Sequence, residues 1–464
     1  MAAKKSSRRK QATPIVIGYI GGGSRGWAHK LMNDLTLCPH LTGEVRLFDI
    51  DRPMALLNAR WGERVNAAPA AVSEWKFKAV KTLKEALTGA DFVICSIQPG
   101  AIEMMGHDLN IPRKYGIVHP VGDTVGPAGM IRSLRSVGDY AVFAEAVERY
   151  CPAAWVINYT NPMTVCTRTL YKVFPGIKAF GCCHEVFSTQ KWLGQLLEEY
   201  HGIKATRDEI LVNVLGVNHF TWVDRARYLD IDLFPLVRRK MGEKGMVRKF
   251  RPEDLANQDQ MKGRRQVVFD LFKRFGLIAA AGERHIVEFL PFYCKSEEVL
   301  NSWGVKLTPY EFRQRRYENA PREFRARLRD RKPFELEPSK EEGVRQMMAL
   351  CGLGNLRTNV NLPNIGQIEG LPRDAVVETN SSFTYDNVAP EFAGQLPLPV
   401  ETHVLRAVAN QETIVHAGLT ADRDLAFQAF LNDPLMTLQT DAAWRMFREM
   451  LQATKSALPK GWRI

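Results

Sequence analysis

The fold of this chain is decided by the stretch PIVIGYIGGGSRG, residues 14–26. Its first part, Pro14–Ile20, is rich in β-branched residues and predicts a strand, while Arg25–Leu37 has the pattern of a helix. The glycines between them form a G-x-G-x-x-G, in the strand–turn–helix order that a dinucleotide-binding fingerprint requires. Glycines let the backbone approach a pyrophosphate, and the helix N-terminus supplies N–H donors. The predicted cofactor contacts are Gly21, Gly23, Ser24, Arg25 and Gly26.

An acidic residue at the end of the next strand indicates which dinucleotide is bound. Val45–Phe48 predicts a second strand that leads into Asp49. This position lies about twenty residues beyond the last glycine, where a Rossmann unit places the acid that accepts the ribose hydroxyls. Asp49 therefore predicts NAD rather than NADP as the cofactor.

Alternating strand and helix patterns continue to about residue 205. Further strands are predicted at Trp75–Ala79, Asp91–Ser96, Ala153–Asn158 and Ile177–Gly181. This alternation predicts an α/β fold with an N-terminal, doubly wound, Rossmann-type parallel sheet. After Lys204, Ile210–Val217 and Trp222–Asp230 instead resemble strands of a mixed or antiparallel sheet. We predict a disordered basic tail over residues 1–13, an NAD-binding Rossmann domain over 14–205 and a C-terminal α+β catalytic and oligomerisation domain over 206–464.

Composition narrows the class of protein. The chain has 464 residues, 45% of them hydrophobic and 25% charged, as is typical of globular proteins. No apolar run reaches the length of a membrane span, and the basic N-terminus leads into no signal-peptide pattern, so we expect a cytoplasmic protein without a membrane partner.

The net charge is +12, and basic residues cluster in Arg313–Lys332. Nucleic-acid binding is one interpretation of this cluster, but no nucleic-acid motif accompanies it, and a solvated helix face is the favoured one.

Two short clusters offer ligands for a metal ion. Cys183 and His184 follow the predicted strand Ile177–Gly181, at the end of the sheet where α/β proteins bind ligands. His219 follows Asn218 at the end of another apolar strand. Thiolate and imidazole are good ligands for a divalent transition metal, although a buried cysteine and a core histidine would give the same pattern. The eight cysteines show neither a disulfide framework nor a Cys-x-x-Cys zinc site.

Two other polar stretches stand where strands end. Asn158–Pro162 closes one strand and opens a helix, and Gly122–Gly126 precedes the helix that carries Arg132 and Arg135. Each could bind a ligand or could simply cap the helix that follows.

In combination these segments resemble glycoside hydrolase family 4, the NAD-dependent glycosidases. The matching segments are Gly21–Gly26, Gly122–Arg135, Asn158–Met163, Cys183–Val186, Gly216–Trp222 and Gly282–Phe289, with weaker matches at Asn361–Glu378 and Asn432–Pro434. The resemblance spans nearly the whole chain after the tail. The tetrapeptide Cys183–Val186 looks like the α-glucosidase type, while Gly122–Thr124 and Gly282–His285 also resemble α-galactosidase and α-galacturonidase members.

The resemblance implies a role for each matching residue. Cys183 and His219 would hold a divalent metal, usually manganese, and His184 would fill the acid/base position. Glu283 would be the base, in a position where relatives often carry Asp. Asp123, Asn161, Arg284 and His285 would contact the sugar. A homodimer or homotetramer is expected.

The same resemblance implies a mechanism that differs from the two-carboxylate scheme of ordinary glycosidases. NAD would take a hydride from C3 of the sugar, and the metal would polarise the resulting carbonyl as a Lewis acid. Glu283 would then remove the C2 proton, and the glycosidic oxygen would leave by elimination with help from His184. Addition of water and return of the hydride would complete hydrolysis without net redox change. The expected substrate is an α-glycoside, of the α-glucosidase type.

Two other functions remain open at this point. A simple NAD-dependent dehydrogenase of a hydroxy acid or sugar alcohol would share the fold and would accumulate NADH. A non-catalytic NAD-binding regulator would use the basic surface to bind nucleic acid and would show no turnover.

Overall fold

The computed structural model describes residues 12–256, 258 and 263–462. The basic tail predicted over residues 1–13 falls largely on residues 1–11, which lie outside the described residues. From Thr13 onward, strands and helices alternate. Among the described residues, no helix is long and apolar enough to cross a membrane.

The first six strands form a parallel sheet. They are β1 (Thr13–Ile20), β2 (Leu41–Phe48), β3 (Trp75–Val80), β4 (Phe92–Cys95), β5 (Trp155–Asn158) and β6 (Lys178–Gly181). Their spatial order is β3-β2-β1-β4-β5-β6, with every neighbouring pair parallel. This is the doubly wound Rossmann order, which binds its ligand beyond the carboxyl ends of the strands where the order reverses, between β1 and β4. The predicted N-terminal fold is confirmed.

Seven helices accompany these strands: α1 (Trp27–Thr36), α2 (Arg52–Asn66), α3 (Leu83–Leu87), α4 (Ile102–Lys114), α5 (Gly126–Tyr150), α6 (Met163–Val173) and α7 (Glu185–His201). Successive side chains of a strand point to opposite faces, so β1 feeds two separate apolar clusters. Ile17 and Tyr19 pack in one cluster with residues of α1 and α2, and Ile20 packs in the other with Tyr140 of α5. The sheet is therefore buried on both sides.

The second half of the chain contributes a small antiparallel sheet. It contains β7 (Leu211–Val217), β8 (Phe220–Tyr228), β9 (Ile231–Asp232) and β10 (Ile278–Ala279), in the order β10-β8-β7 with β9 on β8. The predicted mixture of antiparallel strands and helices after residue 205 is confirmed.

Three later strands join the first sheet. The last strands are β11 (Leu356–Pro363), β12 (Ile368–Glu369), β13 (Val376–Thr384), β14 (Asn387–Pro390) and β15 (Gly394–Gln395). Strand β11 pairs antiparallel with β6 through Asn361 and Gly181, and β13 and β14 follow it outward. One nine-stranded sheet thus crosses the boundary that we predicted near residue 205.

The remaining helices pack around both sheets. They are α8 (Phe234–Gly242), α9 (Gln266–Phe275), α10 (Glu283–Phe289), α11 (Glu297–Ser302), α12 (Tyr310–Arg329), α13 (Gly343–Leu350), α14 (Leu398–Thr420), α15 (Arg423–Leu431) and α16 (Thr440–Thr454). All eight cysteines are free, and all but Cys351 are buried.

Candidate active site

The glycine-rich turn after β1 is shaped as the fingerprint predicts. The N–H groups of Gly21 and Gly22 both donate to the carbonyl of Phe48, at 2.9 and 2.8 Å. Gly21 has φ +90°, and a Cβ there would lie 2.0 Å from the Ser96 carbonyl oxygen, so only glycine fits. A Cβ on Gly26 would instead meet nothing within 4 Å. Gly26 therefore borders open space at the start of α1, where a pyrophosphate would approach the helix N-terminus.

Asp49 lies directly after β2 and turns towards this loop. Its Oδ2 accepts from the N–H of Gly23 at 2.8 Å, and its Oδ1 accepts from the N–H of Asp51 at 2.8 Å. Burial raises the pKa of Asp49, while these two hydrogen bonds oppose the rise. Each carboxylate oxygen keeps a lone pair, so Asp49 can still accept hydroxyl hydrogen bonds as predicted.

A tyrosine from the second half of the chain covers the loop. The guanidinium of Arg25 lies 3.4 Å from the centre of the Tyr317 ring and binds the Asp51 carboxylate at 2.9 Å. Tyr317 belongs to α12, almost three hundred residues from Arg25. No local pattern identifies such a contact, and our sequence analysis missed it.

Three side chains from distant segments form a potential metal-binding group. Asp123, His219 and His285 each offer a ligand atom, and these atoms lie within 4.8 Å of one another. The rings of His219 and His285 stack with their centres 3.7 Å apart. Nδ1 of His285 lies 3.8 Å from Oδ1 of Asp123 and has no hydrogen-bond partner among the described residues. The structure thus brings together one predicted metal ligand and two predicted substrate contacts.

Thr124 connects Asp123 to His219. Its hydroxyl donates to Oδ1 of Asp123 at 2.8 Å and lies 2.8 Å from Nδ1 of His219. A hydroxyl has one proton, so the His219 Nδ1–H must be the donor in the second bond. The Nε2 of His219 is then left with its lone pair, which is the form that binds a metal.

Electrostatics keep this group in a ligand-competent state. Burial, assisted by the nearby His285, lowers the pKa of His219 to about 3, so its ring is neutral. Burial would raise the pKa of Asp123, but His285, His219, Arg132 and Arg313 outweigh burial and hold it well below its usual range. A neutral imidazole and an ionised carboxylate are the forms that a divalent cation requires.

Cys183, the other predicted metal ligand, is not part of the three-residue group. Its thiol is buried and bonds to the side chain of Asn218, the residue before His219. Burial raises the pKa of this thiol well above its usual value, and the nearby carboxylates of Glu378 and Glu185 raise it further. A bound cation would reverse this shift, since coordination deprotonates a thiol.

Two carboxylates, of the buried Glu378 and the half-buried Glu185, support these residues, and the sequence analysis assigned neither a role. Oε1 of Glu378 accepts from Nδ2 of Asn359 at 2.6 Å, and its Oε2 accepts from Nδ2 of Asn218 at 3.3 Å. Burial raises the pKa of Glu378 to about 7. Glu185 accepts from the N–H of Gly282 at 2.8 Å and ties the start of α7 to the start of α10.

His184 lies at the edge of the site. Its Nδ1 is 3.3 Å from Oε1 of Glu341, and 38% of its side chain is exposed. The hydrogen bond with Glu341 raises the pKa of His184, although partial burial opposes the rise. His184 is therefore held towards the protonated form, as a general acid must be.

Asn161 is beside Asp123. Its Nδ2 donates to Oδ2 of Asp123 at 3.4 Å, and its Oδ1 is buried without a partner among the described residues. Its carbonyl accepts from Nε of Arg132 at 2.9 Å. The sequence was also compatible with a solvent-exposed Arg132. In the structure Arg132 is 5% exposed.

Glu283, the predicted base, is used elsewhere. Its carboxylate accepts from the backbone N–H groups of Arg265 at 2.6 Å, Val267 at 2.7 Å and Val268 at 3.3 Å. These donors belong to the start of α9, so Glu283 caps that helix. Three helix N–H groups thus take most of the acceptor positions of this carboxylate, and the assignment of Glu283 as the base remains a prediction.

Arg284 shapes the loop that carries Asp123. Its guanidinium donates to the carbonyl of Pro120 at 2.9 Å and to the hydroxyl of Thr308. The structure places it behind the loop, and its predicted contact with substrate remains a prediction.

Arg313 is a cation that the sequence analysis treated only as part of a basic cluster. It lies in α12, close enough to Asp123 for each to shift the pKa of the other. Burial lowers the pKa of its guanidinium. Its Nη1 lies 3.5 Å from Sδ of Met105, and it forms no ion pair with any described carboxylate. The site therefore has an arginine without an ion-pair partner at its edge.

Comparison with known proteins identifies the chain. A family model described as "Family 4 glycosyl hydrolase" matches residues 16–199, and one described as its C-terminal domain matches residues 214–436. An alpha-galacturonidase of Thermoanaerobacterium saccharolyticum is 48% identical over 460 residues, covering 97% of each chain. An alpha-galacturonidase of Bacillus subtilis is 47% identical over 444 residues, covering 94% of this chain and 97% of that one. By contrast, an alpha-glucosidase of Erwinia rhapontici is 27% identical, covering 91% and 94%.

Solved structures agree with this relationship. The crystal structure of lplD from Bacillus subtilis has a TM-score of 0.89 and 46% identity, covering 95% of this chain and all of that one. A 6-phospho-beta glucosidase of Thermotoga maritima, solved with manganese, NAD+ and glucose-6-phosphate, has a TM-score of 0.76 at 19% identity, covering 97% and 100%. At that identity the second likeness shows the fold alone. The chain belongs to glycosyl hydrolase family 4, and the enzyme class predicted from its sequence is confirmed, in place of a dehydrogenase or a regulator.

Proposed function

We propose that this enzyme hydrolyses α-galacturonides, using NAD and a divalent cation, with transient oxidation at C3 of the sugar. The main support is that relatives named alpha-galacturonidase are 47–48% identical to this chain over 94–97% of its length. The narrower α-glucosidase expectation has less support, since the relative of that name is 27% identical. A galacturonide has a carboxylate at C6 where a galactoside has a hydroxymethyl group. The proposal therefore requires a positively charged side chain in the sugar site.

The residues present fit both NAD and a metal ion. The open face at Gly26 and the remaining lone pairs of Asp49 suit the pyrophosphate and ribose of NAD. His219, in its Nδ1–H form, and the ionised Asp123 suit a divalent cation, with the Cys183 thiol as a further ligand. When bound, NAD supplies an acceptor for the C3 hydride, and the cation supplies a Lewis acid that makes the C2 proton acidic.

His285 is the proposed base in place of Glu283. Its Nδ1 is without a hydrogen-bond partner among the described residues, and its ring stacks on His219 beside Asp123. A base needs an available lone pair within reach of the C2 proton, and the unpartnered Nδ1 of His285 supplies the lone pair. Asp123 stabilises the imidazolium that forms, because its carboxylate lies 3.8 Å from Nδ1.

His184 is the proposed acid. Its raised pKa keeps a proton available for the departing glycosidic oxygen. Glu341 orients the ring through Nδ1, which leaves Nε2 as the atom that donates. Asn161 and Asp123 would hold sugar hydroxyls, since the Oδ1 of Asn161 has no partner among the described residues.

Arg313 is the proposed partner of the C6 carboxylate. Its guanidinium lies near Asp123 without an ion pair, and arginine binds carboxylates through two parallel hydrogen bonds.

The proposal is tested by comparing the 4-nitrophenyl α-glycosides of galacturonic acid, galactose and glucose, with NAD, manganese and a thiol reductant. The galacturonide should be hydrolysed fastest. Arg313→Ala should lower kcat/KM for the galacturonide about tenfold or more, as expected for a lost charge-assisted bond, and should leave any galactoside hydrolysis nearly unchanged.

Two results would contradict the substrate assignment. One is hydrolysis of the glucoside at a higher kcat/KM than the galacturonide. The other is an equal loss on all three substrates in Arg313→Ala, which would mean that this arginine only supports the fold.

A further inference from the structure

We propose that two buried carboxylates, Glu288 and Asp433, are positioning residues that hold the loop carrying Asp123. We refer to residues 121–126 as the Asp123 loop. Neither carboxylate belongs to the metal-binding group, but each fixes one end of the loop that contributes to this group. The inference rests on the proposed function and explains how the cation site is held in shape. It also gives a role to the motif Asn432–Pro434, which the active site leaves unexplained.

Glu288 holds the beginning of the Asp123 loop. Its Oε1 accepts from the backbone N–H groups of Val121 at 2.7 Å and of Gly122 at 2.8 Å, the two residues before Asp123. The side chain of Glu288 is fully buried, so the two bonds are shielded from competition by water. Two neighbouring N–H groups directed at one oxygen fix both peptide planes immediately before Asp123.

Asp433 holds the other end of the loop. Its Oδ2 accepts from the N–H of Gly126 at 3.0 Å, and its Oδ1 accepts from the N–H of Leu435 at 2.8 Å. Asp433 is 2% exposed and follows α15, 307 positions from Gly126. On the other side of Gly126, a Cβ would lie 2.2 Å from Cε1 of His119. The end of the loop is therefore enclosed by the carboxylate and the histidine ring.

The backbone turns sharply at both of these points. Gly122 has φ +70° and Gly126 has φ +71°, in the left-handed region that glycine adopts readily. The segment Asp123–Val125 lies between the two turns. A segment this short, with both ends fixed, directs its side chains in a defined way, as a metal site requires. The bond from Thr124 to His219 depends on this direction.

Glu288 and His285 lie on the same short helix. Helix α10 spans Glu283–Phe289, and residues three apart in a helix lie on one side of it. This helix thus directs His285 to the metal-binding group and Glu288 to the loop that carries Asp123. The distance of 3.8 Å between Nδ1 of His285 and Oδ1 of Asp123 is therefore set by one helix together with its own carboxylate.

The experiment compares variants of the full-length protein. Glu288→Ala and Asp433→Ala each release one end of the loop, while Glu288→Gln keeps an oxygen that can accept from both N–H groups. Glu401→Ala is the matched control, since Glu401 is also buried and accepts from Nε2 of Gln395 at 3.0 Å, outside the Asp123 loop. Calorimetry on the metal-free protein measures manganese affinity, fluorescence measures NADH affinity, and mass spectrometry follows hydrogen exchange of residues 121–126.

Both release variants, Glu288→Ala and Asp433→Ala, should bind manganese about tenfold more weakly, as is typical when a group that orients a metal ligand is lost. Hydrogen exchange of the loop should become faster in both, and NADH affinity should stay at the wild-type value. Glu288→Gln should restore manganese affinity, and Glu401→Ala should match the wild type in all three measurements.

Two results with the variants would overturn the proposal. One is wild-type manganese affinity in both release variants. The other is an equal loss of manganese and NADH affinity, since the carboxylates would then support the whole fold rather than the loop. The wild type provides a measurement that depends on no variant folding. Its N–H groups at Val121, Gly122 and Gly126 should exchange slowly without metal, and exchange at the rate of an unfolded peptide would also overturn the proposal.

Failure of the proposed function would look different. In that case wild-type protein would not hydrolyse the 4-nitrophenyl galacturonide at all. Manganese titration and hydrogen exchange would still decide whether Glu288 and Asp433 position the loop, because neither measurement needs turnover.

Discussion

The hydroxyl of Thr124 lies 2.8 Å from Nδ1 of His219 and donates its own proton to Asp123, also at 2.8 Å. This pair of bonds fixes His219 as the Nδ1–H tautomer and leaves Nε2 free to bind a cation. We therefore expect Thr124 to influence how tightly His219, which lies 95 positions away in the sequence, binds a metal ion.

Replacing Thr124 by Val should weaken metal binding while preserving shape. Valine fills the same volume but can neither accept the His219 proton nor donate to Asp123. Loss of such an outer partner typically lowers metal affinity by about 10–100-fold. Calorimetric titration of the metal-free protein with manganese measures this directly, without reliance on activity.

The matched control is Thr36→Val, which replaces another buried threonine whose hydroxyl has no partner among the described residues. It should leave manganese affinity unchanged. Cys183→Ser, titrated in the same series, tests the second predicted ligand. An unaltered affinity in Thr124→Val would mean that the tautomer of His219 is fixed by something else.

Local sequence patterns predicted the Rossmann-type fold of the first half of this molecule well, for a physical reason. The turn at Gly21, the acid at Asp49 and the strands of the parallel sheet each depend on neighbours within about 25 residues. Over such distances, a strained turn is recognisable from its glycines and a strand from its alternation of residues. The doubly wound, parallel character of the sheet followed from them.

The same reasoning could not predict contacts between distant segments. Asn361 pairs with Gly181, and Tyr317 lies on Arg25. These residues are far apart in the sequence, and no local repeat of residue types indicates that they meet. Glu283 illustrates the consequence, because an acid beside Arg284 and His285 in sequence is directed to the first N–H groups of α9 instead. Which way a side chain points at the start of α10 depends on what packs against it.

Asp49→Ala should weaken NAD binding and leave manganese affinity unchanged. The substitution removes the acceptor for the ribose hydroxyls and also the support of the Gly23 N–H. Fluorescence titration with NADH measures the loss, with Asp230→Ala, an exposed loop residue, as the control. The wild type should prefer NAD to NADP, because the carboxylate repels a 2′-phosphate. Equal activity with NADP would contradict the placement of Asp49.

The pairing of His184 with Glu341 predicts a particular pH dependence. Glu341 raises the pKa of His184, so the protonated acid persists to higher pH than an isolated histidine would allow. Activity should fall as pH rises through this pKa, because the proton donor is then lost. Glu341→Gln should move the basic limb of the kcat/KM profile to lower pH, while Glu74→Gln, an exposed control, should not move it.

The same pair also affects stability, with a definite sign. A raised folded-state pKa means that the pair stabilises the fold below the unfolded pKa of histidine and loses this contribution as pH rises through the folded pKa. The Tm difference between wild type and Glu341→Gln should therefore shrink with rising pH. A difference that grows with pH would exclude a charged His184 in the folded protein.

The sharpest test of the mechanism concerns the hydrogen on C2 of the sugar, which an ordinary glycosidase never removes. Hydrolysis in D₂O should give a product with deuterium at C2, as read by NMR or mass spectrometry. His285→Gln should abolish this exchange, because an amide cannot take up the proton. Glu283→Gln, which still offers an oxygen to the N–H groups of α9, should keep exchange in whatever fraction remains folded. Exchange lost in Glu283→Gln but kept in His285→Gln would restore Glu283 as the base, and hydrolysis with no C2 deuterium in the wild type would contradict transfer of the C2 proton to a base that exchanges with solvent.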